Sequence, residues 1–366
     1  MANPESLRRD FDKLASDALE LLLARTSERA DLYSSLECHH ESDPTLENLW
    51  EELTTAPPWV DWDRIRRGQL VFRRYLLPIV LGFGFQGFAG EIAAAVGPAE
   101  VLIRAGGLSS ENIWQRTAQT LRWLTEVTES TESIQPGGRG HISTVKVRLI
   151  HAVVRRHILE IAESRPSYFD VEQHGVPINA HDSVLTLTFF CCNPMWIQLP
   201  RLWVYPTDQE KEDFVALYRY LGHLMGVPTE YFASATQAKQ TMDSLLDHKE
   251  PPNVASRKIT NTFVNALVDM KPYNLSRGFV EAGVRSMNPG PVCDALGIGT
   301  PGWLPYVAFM TLQGCVGMLA LLQKTSTALE IGVQTVSDTT TTSILIDMTD
   351  HFSVYQRLIG HCVRRA

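Results

Sequence analysis

Between residues 144 and 163 the apolar positions Val147, Ile150, Val154, Ile158 and Ile161 recur at steps of three and four. That spacing predicts an amphipathic helix with a single buried stripe. Arg148, His151 and Arg155 share one narrow face of it, with the histidine at the edge of the apolar stripe. Comparable patterning predicts helices over 6–25, 43–55, 69–81, 90–96, 98–105, about 110–129, 236–248, 259–270 and 276–286. Another carries Phe214, Leu217, Tyr218, Leu221 and Leu224, opened by Thr207 or Asp208 and closed near Gly226 and Pro228. Asn179 or Asp182 is placed to cap a helix whose first turns hold Thr186 and Thr188. The runs ECHHESDP (37–44) and PGGRG (136–140) read as loops, and NPGPV (288–292) as a turn. A final helix is expected after about Thr342.

No segment alternates with the period of a strand, and no repeat or low-complexity linker divides the chain. The expected fold is therefore mainly α: one helical domain with a helical N-terminal extension. A hydrophobic share of 44% gives 366 residues ample material for a core. The net charge of −8, with no long basic run, argues against a nucleic-acid partner. Six cysteines without a CxxC pair argue against a disulfide framework or structural zinc, and suit a reducing compartment.

The first residues hold no basic-then-apolar signal, so an intracellular location is expected. Residues 75–90 are uncharged but short and glycine-rich, closer to a buried helix than to a span. Residues 303–322 are long enough to cross a bilayer and lie in a stretch without Asp, Glu, Lys or Arg. Pro305, Gln313, Gly314 and Gly317 fit a kinked buried helix equally well, so burial or peripheral membrane contact is expected over a true span.

Motif by motif, the commonest chemistries drop out. GFGFQGFAG (82–90) lacks the strand context of a dinucleotide loop and reads as helix packing. A Walker loop, a GxSxG elbow, an HExxH and a carboxylate-bridged di-iron pattern are absent from the sequence. Cys38, His39 and His40 read as a solvated loop in preference to a metal site, and His151 and His157 point to different helix faces. His151 is left as the best single ligand candidate, and the cofactor that needs only one strong protein ligand is haem. A hydrogen-bonded structural histidine is the alternative that the residues alone leave open.

The ordered set PPWVDWDRIRRG, RTAQT, GGRGHISTVKVRLIHAVVRR, GVPINAHDSVLTLTFF and YRYLGHLMGVP resembles the haem-dependent oxygenase family of the latex-clearing proteins (rubber oxygenases). That family also includes the fungal ER-bound oxygenase of the mycophenolic acid pathway. The likeness runs over residues 59–228 and implies a globin-like helical core holding one haem b. It further implies that His151 is the proximal iron ligand, that Arg148 of the same motif supports the haem through a propionate, and that Thr186 lies near the cofactor; Arg155, on the same helix face, is placed to meet a propionate as well. The family's distal Arg-x-x-Lys-Thr falls on Arg116, Gln119 and Thr120, so a glutamine stands where the family has lysine. Its amide donates a hydrogen bond but carries no charge. A distal glutamate would correspond to Glu100 or, less well, to Glu91.

The implied activity is oxidation or C=C cleavage, with O2, of a hydrophobic polyketide- or terpenoid-like substrate in fungal-type secondary metabolism. The implied division is 1–57 as extension, 58–250 as oxygenase core and 251–366 as C-terminal helices packed on it. The implied location is cytoplasmic or peripheral at the ER membrane. A carrier of haem or an apolar ligand, or a non-redox tailoring enzyme on the same fold, are the alternatives.

Overall fold

The computed structural model describes residues 4–25, 31–105, 110–268, 270 and 274–325. The expected helix after Thr342 lies outside them. Among the described residues there is no strand.

The N-terminal extension departs from the single helix expected over 6–25. It breaks into α1 (Pro4–Arg9) and α2 (Lys13–Leu23), because Asp12 turns its carboxylate to the Ala15 amide as an N-cap. The break is held from outside: the Arg8 and Asp10 carbonyls accept from the amides of Val176 and Ala180 at 2.9 and 2.7 Å. Gly175 must be glycine for this contact. Its φ is +76°, and a Cβ would stand 2.3 Å from the Arg8 carbonyl oxygen. The run read as a loop at 37–44 is largely helical. Helix α3 (Leu32–His39) reaches into it because Leu32, Tyr33 and Leu36 need burial, and a 3₁₀ turn follows over His40–Ser42. Asp43 then caps α4 (Pro44–Thr54).

Helix α5 (Trp62–Arg74) is capped by Asp61 and leads through α6 (Leu76–Gly82) into a π-helical stretch, Phe83–Glu91, and the short α7 (Ile92–Ala94). The glycines here are close-approach positions, as the packing reading of GFGFQGFAG required. A Cβ at Gly87 would lie 2.3 Å from the Phe189 ring, and one at Gly90 the same distance from Asn288. Helices α8 (Val96–Arg104), α9 (Ser110–Thr128) and α10 (Thr131–Ile134) precede the long α11 (Arg139–Ser164). After α12 (Val171–His174), Asn179 caps α13 (Ala180–Asn193), which runs through a second π stretch, Pro194–Gln198, into α14 (Leu199–Arg201).

Helix α15 (Asp208–Leu224) begins with a full capping box between Thr207 and Glu210, and α16 (Ala235–Asp247) with Ser234. α17 (Val254–Val268) and α18 (Arg277–Met287) follow. The expected turn at NPGPV is instead the start of a helix, α19 (Gly290–Leu296), and α20 (Trp303–Thr325) closes the described chain.

Helix α11 corrects the single-stripe expectation. Val145, Leu149, Ala152 and Val153 are buried in the main core together with Phe72, Val184 and Phe214, while Val147, Ile150 and Val154 face a cavity on the other side. The two arginines are buried as well, at 2% and 3% exposure. A second, smaller core gathers Phe85, Val264, Val280, Met287 and Phe309 from the first π stretch, α17, α18 and α20.

Two helical stretches are long and apolar enough to cross a membrane. Leu76–Ala94 is 61% buried and belongs to the interior; Trp303–Gln323 is only 28% buried. α20 packs Phe309, Gln313, Val316, Ala320 and Gln323 inward and leaves Trp303, Leu304, Val307, Met310, Met318 and Leu321 outside. Trp203, at φ +61°, lays its ring beside Gly314 and adds to that outer face.

Candidate functional site

The space that α11 faces is a cavity of about 360 Å³ between α8, α9, α11, α13 and α17. That size falls in the usual range for small-molecule sites. Its walls are largely aromatic and aliphatic: Phe88, Trp123, Phe189, Phe190, Ile259 and Phe263. Phe189 and Phe190 stand edge-to-face at 4.7 Å, and Phe88 stacks on Phe263 at 5.5 Å, so the rings brace one another. The Trp123 indole N–H donates to Thr144 at 2.9 Å, which fixes that ring as wall.

His151 lines this cavity. Its ring makes no hydrogen bond to any described residue. Burial, and then the nearby Arg155 guanidinium, push its pKa down to about 4 against an upward pull from Asp12. The ring is therefore neutral at pH 7, with a nitrogen lone pair free to bind. The ring is half-buried at the cavity surface, and its nitrogens need a partner that no described residue supplies. A metal-bearing ligand in the cavity would meet that need. The structural-histidine alternative requires a hydrogen bond, which no described residue supplies.

Arg116, Gln119 and Thr120 also line the cavity, one turn apart along α9, as does Thr186 on α13. The structure thus brings His151, Thr186 and the three α9 residues around one space. Arg116 donates to the Ala105 and Leu102 carbonyls at the end of α8, which holds its guanidinium in place. Thr120 donates to the Arg116 carbonyl at 2.9 Å, leaving its oxygen lone pairs for the cavity.

Four other candidates are placed elsewhere. Arg148 does not line the cavity: it grips Asp12 at 2.7 and 3.0 Å and Glu52 at 2.7 Å. Arg155 donates to the Pro177 and Ile178 carbonyls and to Ser16. In this structure both guanidiniums anchor the extension and the 176–180 loop, and neither makes the contact with the large cavity that was expected of it. Glu100 is turned to Arg104 and to Asn253 at 2.6 Å, and Glu91 to Asn193 at 2.6 Å; neither lines the cavity. The Arg104 partner lies one turn away on the same helix, but Asn253 and Asn193 come from distant elements that helix spacing does not reveal.

Sequence reasoning missed the aromatic wall and Asp182 and Ser183 beside Thr186. Phe88, Phe189 and Phe190 follow helical periodicity just as core residues do, so no local signal separates a wall from a core.

Comparison with known proteins gives the family and the fold. The sequence profile of a family described as "ER-bound oxygenase mpaB/B'/Rubber oxygenase, catalytic domain" matches residues 73–319, two thirds of the chain. Among solved structures the chain is similar to one titled "Structure of Latex Clearing Protein LCP in the closed state". The TM-score is 0.64 at 18% identity, with 100% of this chain and 91% of that chain covered. At that identity the likeness establishes a shared fold, the all-helical single domain with a globin-like core. No match was found among curated protein sequences.

Proposed function

This chain belongs to the catalytic-domain family of the ER-bound oxygenases and rubber oxygenases, and from that premise we propose a haem b-dependent oxygenase. It uses O2 to oxidise, or to cleave at C=C, a hydrophobic polyketide- or terpenoid-like small molecule in fungal-type secondary metabolism. The observation that carries this reading is His151: a neutral imidazole without a hydrogen-bond partner, facing an apolar cavity of about 360 Å³.

His151 would hold the iron, and Thr186, Arg116, Gln119 and Thr120, which line the same cavity, would stand around the cofactor. Bound there, haem would supply the activation of dioxygen. The chain's own residues supply the rest. Arg116, fixed by two backbone carbonyls, offers a positioned cation for negative charge that develops at the reacting centre, beside a largely apolar wall. Gln119 contributes an amide donor without charge. The same wall suits an apolar substrate, since among the described residues only Arg116 and Asp182 bring acidic or basic side chains to it besides His151.

We assign residues 58–250 to the oxygenase core, 1–57 to the extension and 251–366 to a C-terminal part whose described helices, α17 to α20, pack on the core. The core is not closed by itself, because Ile259 and Phe263 of α17 complete the cavity. Peripheral contact with an ER-type membrane is part of the proposal. It is supported by the uncharged outer face of α20 with Trp303 at one end and Trp203 beside it. Exposed indoles next to apolar helix faces suit a lipid interface.

Gln119 favours a second reading, a binder of haem or an apolar ligand without turnover. Oxygen consumption with a reductant and candidate substrates separates the two. The first test is the visible spectrum of the purified protein: a haem Soret band is expected, and its full retention in His151→Ala would overturn the ligand assignment.

A further inference from the structure

His151 stands between two spaces. Behind the large cavity lies a small chamber of about 60 Å³, lined by His151, Asp10, Asp12, Arg155, Ser183 and Gly226 among others. Space of that size with several polar walls is large enough for ordered water, which needs roughly 10–15 Å³ per molecule and two to four partners. The partners are present. Asp12 accepts from Arg148 and from the Ala15 amide, yet a carboxylate has about four acceptor sites, so capacity remains. Ser183 donates its proton to the Asn179 carbonyl and keeps its lone pairs. Asp10 and Arg155 are the other charged groups that face the chamber. Gly226, at φ +70°, lets the backbone pass close: a Cβ there would lie 2.5 Å from the Asp12 carboxylate.

We infer that Asp12 is a positioning residue for His151, acting through water in this chamber that takes the N–H of the ring nitrogen turned away from the large cavity. The relay fixes one neutral tautomer and one ring orientation, so that the other nitrogen is presented to the large cavity with its lone pair free. Histidines that bind metal are generally oriented in this way by an acceptor on their second nitrogen. Here the acceptor comes from residue 12, sixty-one positions before the start of the family match at residue 73. The inference rests on the reading of His151 as the ligand, but its first test does not need the cofactor.

That test uses the full chain, cofactor-free, with ¹⁵N-labelled histidine, and follows the His151 ring nitrogens by NMR at pH 7.5. A single tautomer is expected in the wild type and a mixture in Asp12→Asn. Glu52→Gln is the control: it also loosens Arg148 but does not line the chamber, so it should leave the His151 signals unchanged. Ser183→Ala, which removes the second anchor for the water, should shift the ring in the same direction and serves if Asp12→Asn does not fold. An unchanged tautomer in Asp12→Asn or, failing that, in Ser183→Ala overturns the inference, as does an equal shift in Glu52→Gln. In haem-loaded protein the iron–histidine stretching band should fall in frequency for Asp12→Asn and not for Glu52→Gln. Failure of the wild type to take up haem would strike the proposed function, and the NMR comparison would still decide the role of Asp12.

Discussion

Arg148 and Asp12, 136 positions apart, meet as a two-pronged ion pair, Nε to Oδ2 at 2.7 Å and Nη2 to Oδ1 at 3.0 Å. The pair ties the helix that carries His151 to the break between α1 and α2, and Glu52 holds the third corner of the guanidinium. Asp12→Ala leaves a buried cation half-paired and removes the cap of α2. Loss of about 3–5 kcal/mol is expected, since breaking a buried pair strands its partner. Denaturant unfolding of the cofactor-free protein checks this, and a loss below about 1 kcal/mol would show the pair to be incidental.

Acid should destabilise the cofactor-free fold through His151. Its folded pKa of about 4 lies below the ordinary value of 6.5, so between those limits the unfolded chain binds the extra proton. The contribution is fully present above pH 6.5 and is lost as pH falls towards 4, by an amount of order 3 kcal/mol. His141 and His223 are depressed by burial and add in the same direction. His151→Leu should flatten part of the slope of stability against pH; an unaltered slope would mean that the ring is not held neutral.

Gly87→Ala should narrow the site as well as strain it. The added carbon would stand 2.3 Å from the Phe189 ring, which is a cavity wall. A destabilisation of about 1–3 kcal/mol is expected from overpacking, together with weaker uptake of haem in titration. Gly84, which has open space where its Cβ would go, is the matched control and should tolerate alanine with little change in either measurement.

Gln119→Lys would restore the charge that the resemblance leads one to expect. Placed one turn from Arg116 on the cavity wall, a lysine adds a second cation or a nitrogen ligand to the space. The absorption spectrum of the haem-loaded variant should differ from that of the wild type, and C=C cleavage of a polyisoprenoid should rise if the missing charge is what limits it. A spectrum identical to the wild type would place position 119 out of reach of the cofactor.

The outer face of α20 makes a prediction of its own. Met318→Glu combined with Leu304→Glu puts charge on a face that carries none and should abolish flotation with phospholipid vesicles, while the haem spectrum stays as it was. Wild-type protein that fails to float would remove the membrane part of the proposed function.

The residues by themselves determined the helices with strong periodicity and clear caps. Asn179, Thr207 and Ser276 each open a helix in the structure, since a cap is a bond between near neighbours. Local pattern also isolated His151 by eliminating other chemistries, and set Arg116, Gln119 and Thr120 on one face of one helix. Tertiary structure decided which polar groups point inward and to what. Spacing on α11 gave Arg148, His151 and Arg155 a common face. Asp12, Glu52, Ser16 and the carbonyls of residues 177 and 178, all distant in sequence, then claimed the two arginines and left the histidine unbonded. Asn253 and Asn193 drew off Glu100 and Glu91 in the same way, beside the Arg104 that Glu100 meets in its own helix. Partners for buried charges come from across the fold, and helical periodicity carries no information about them.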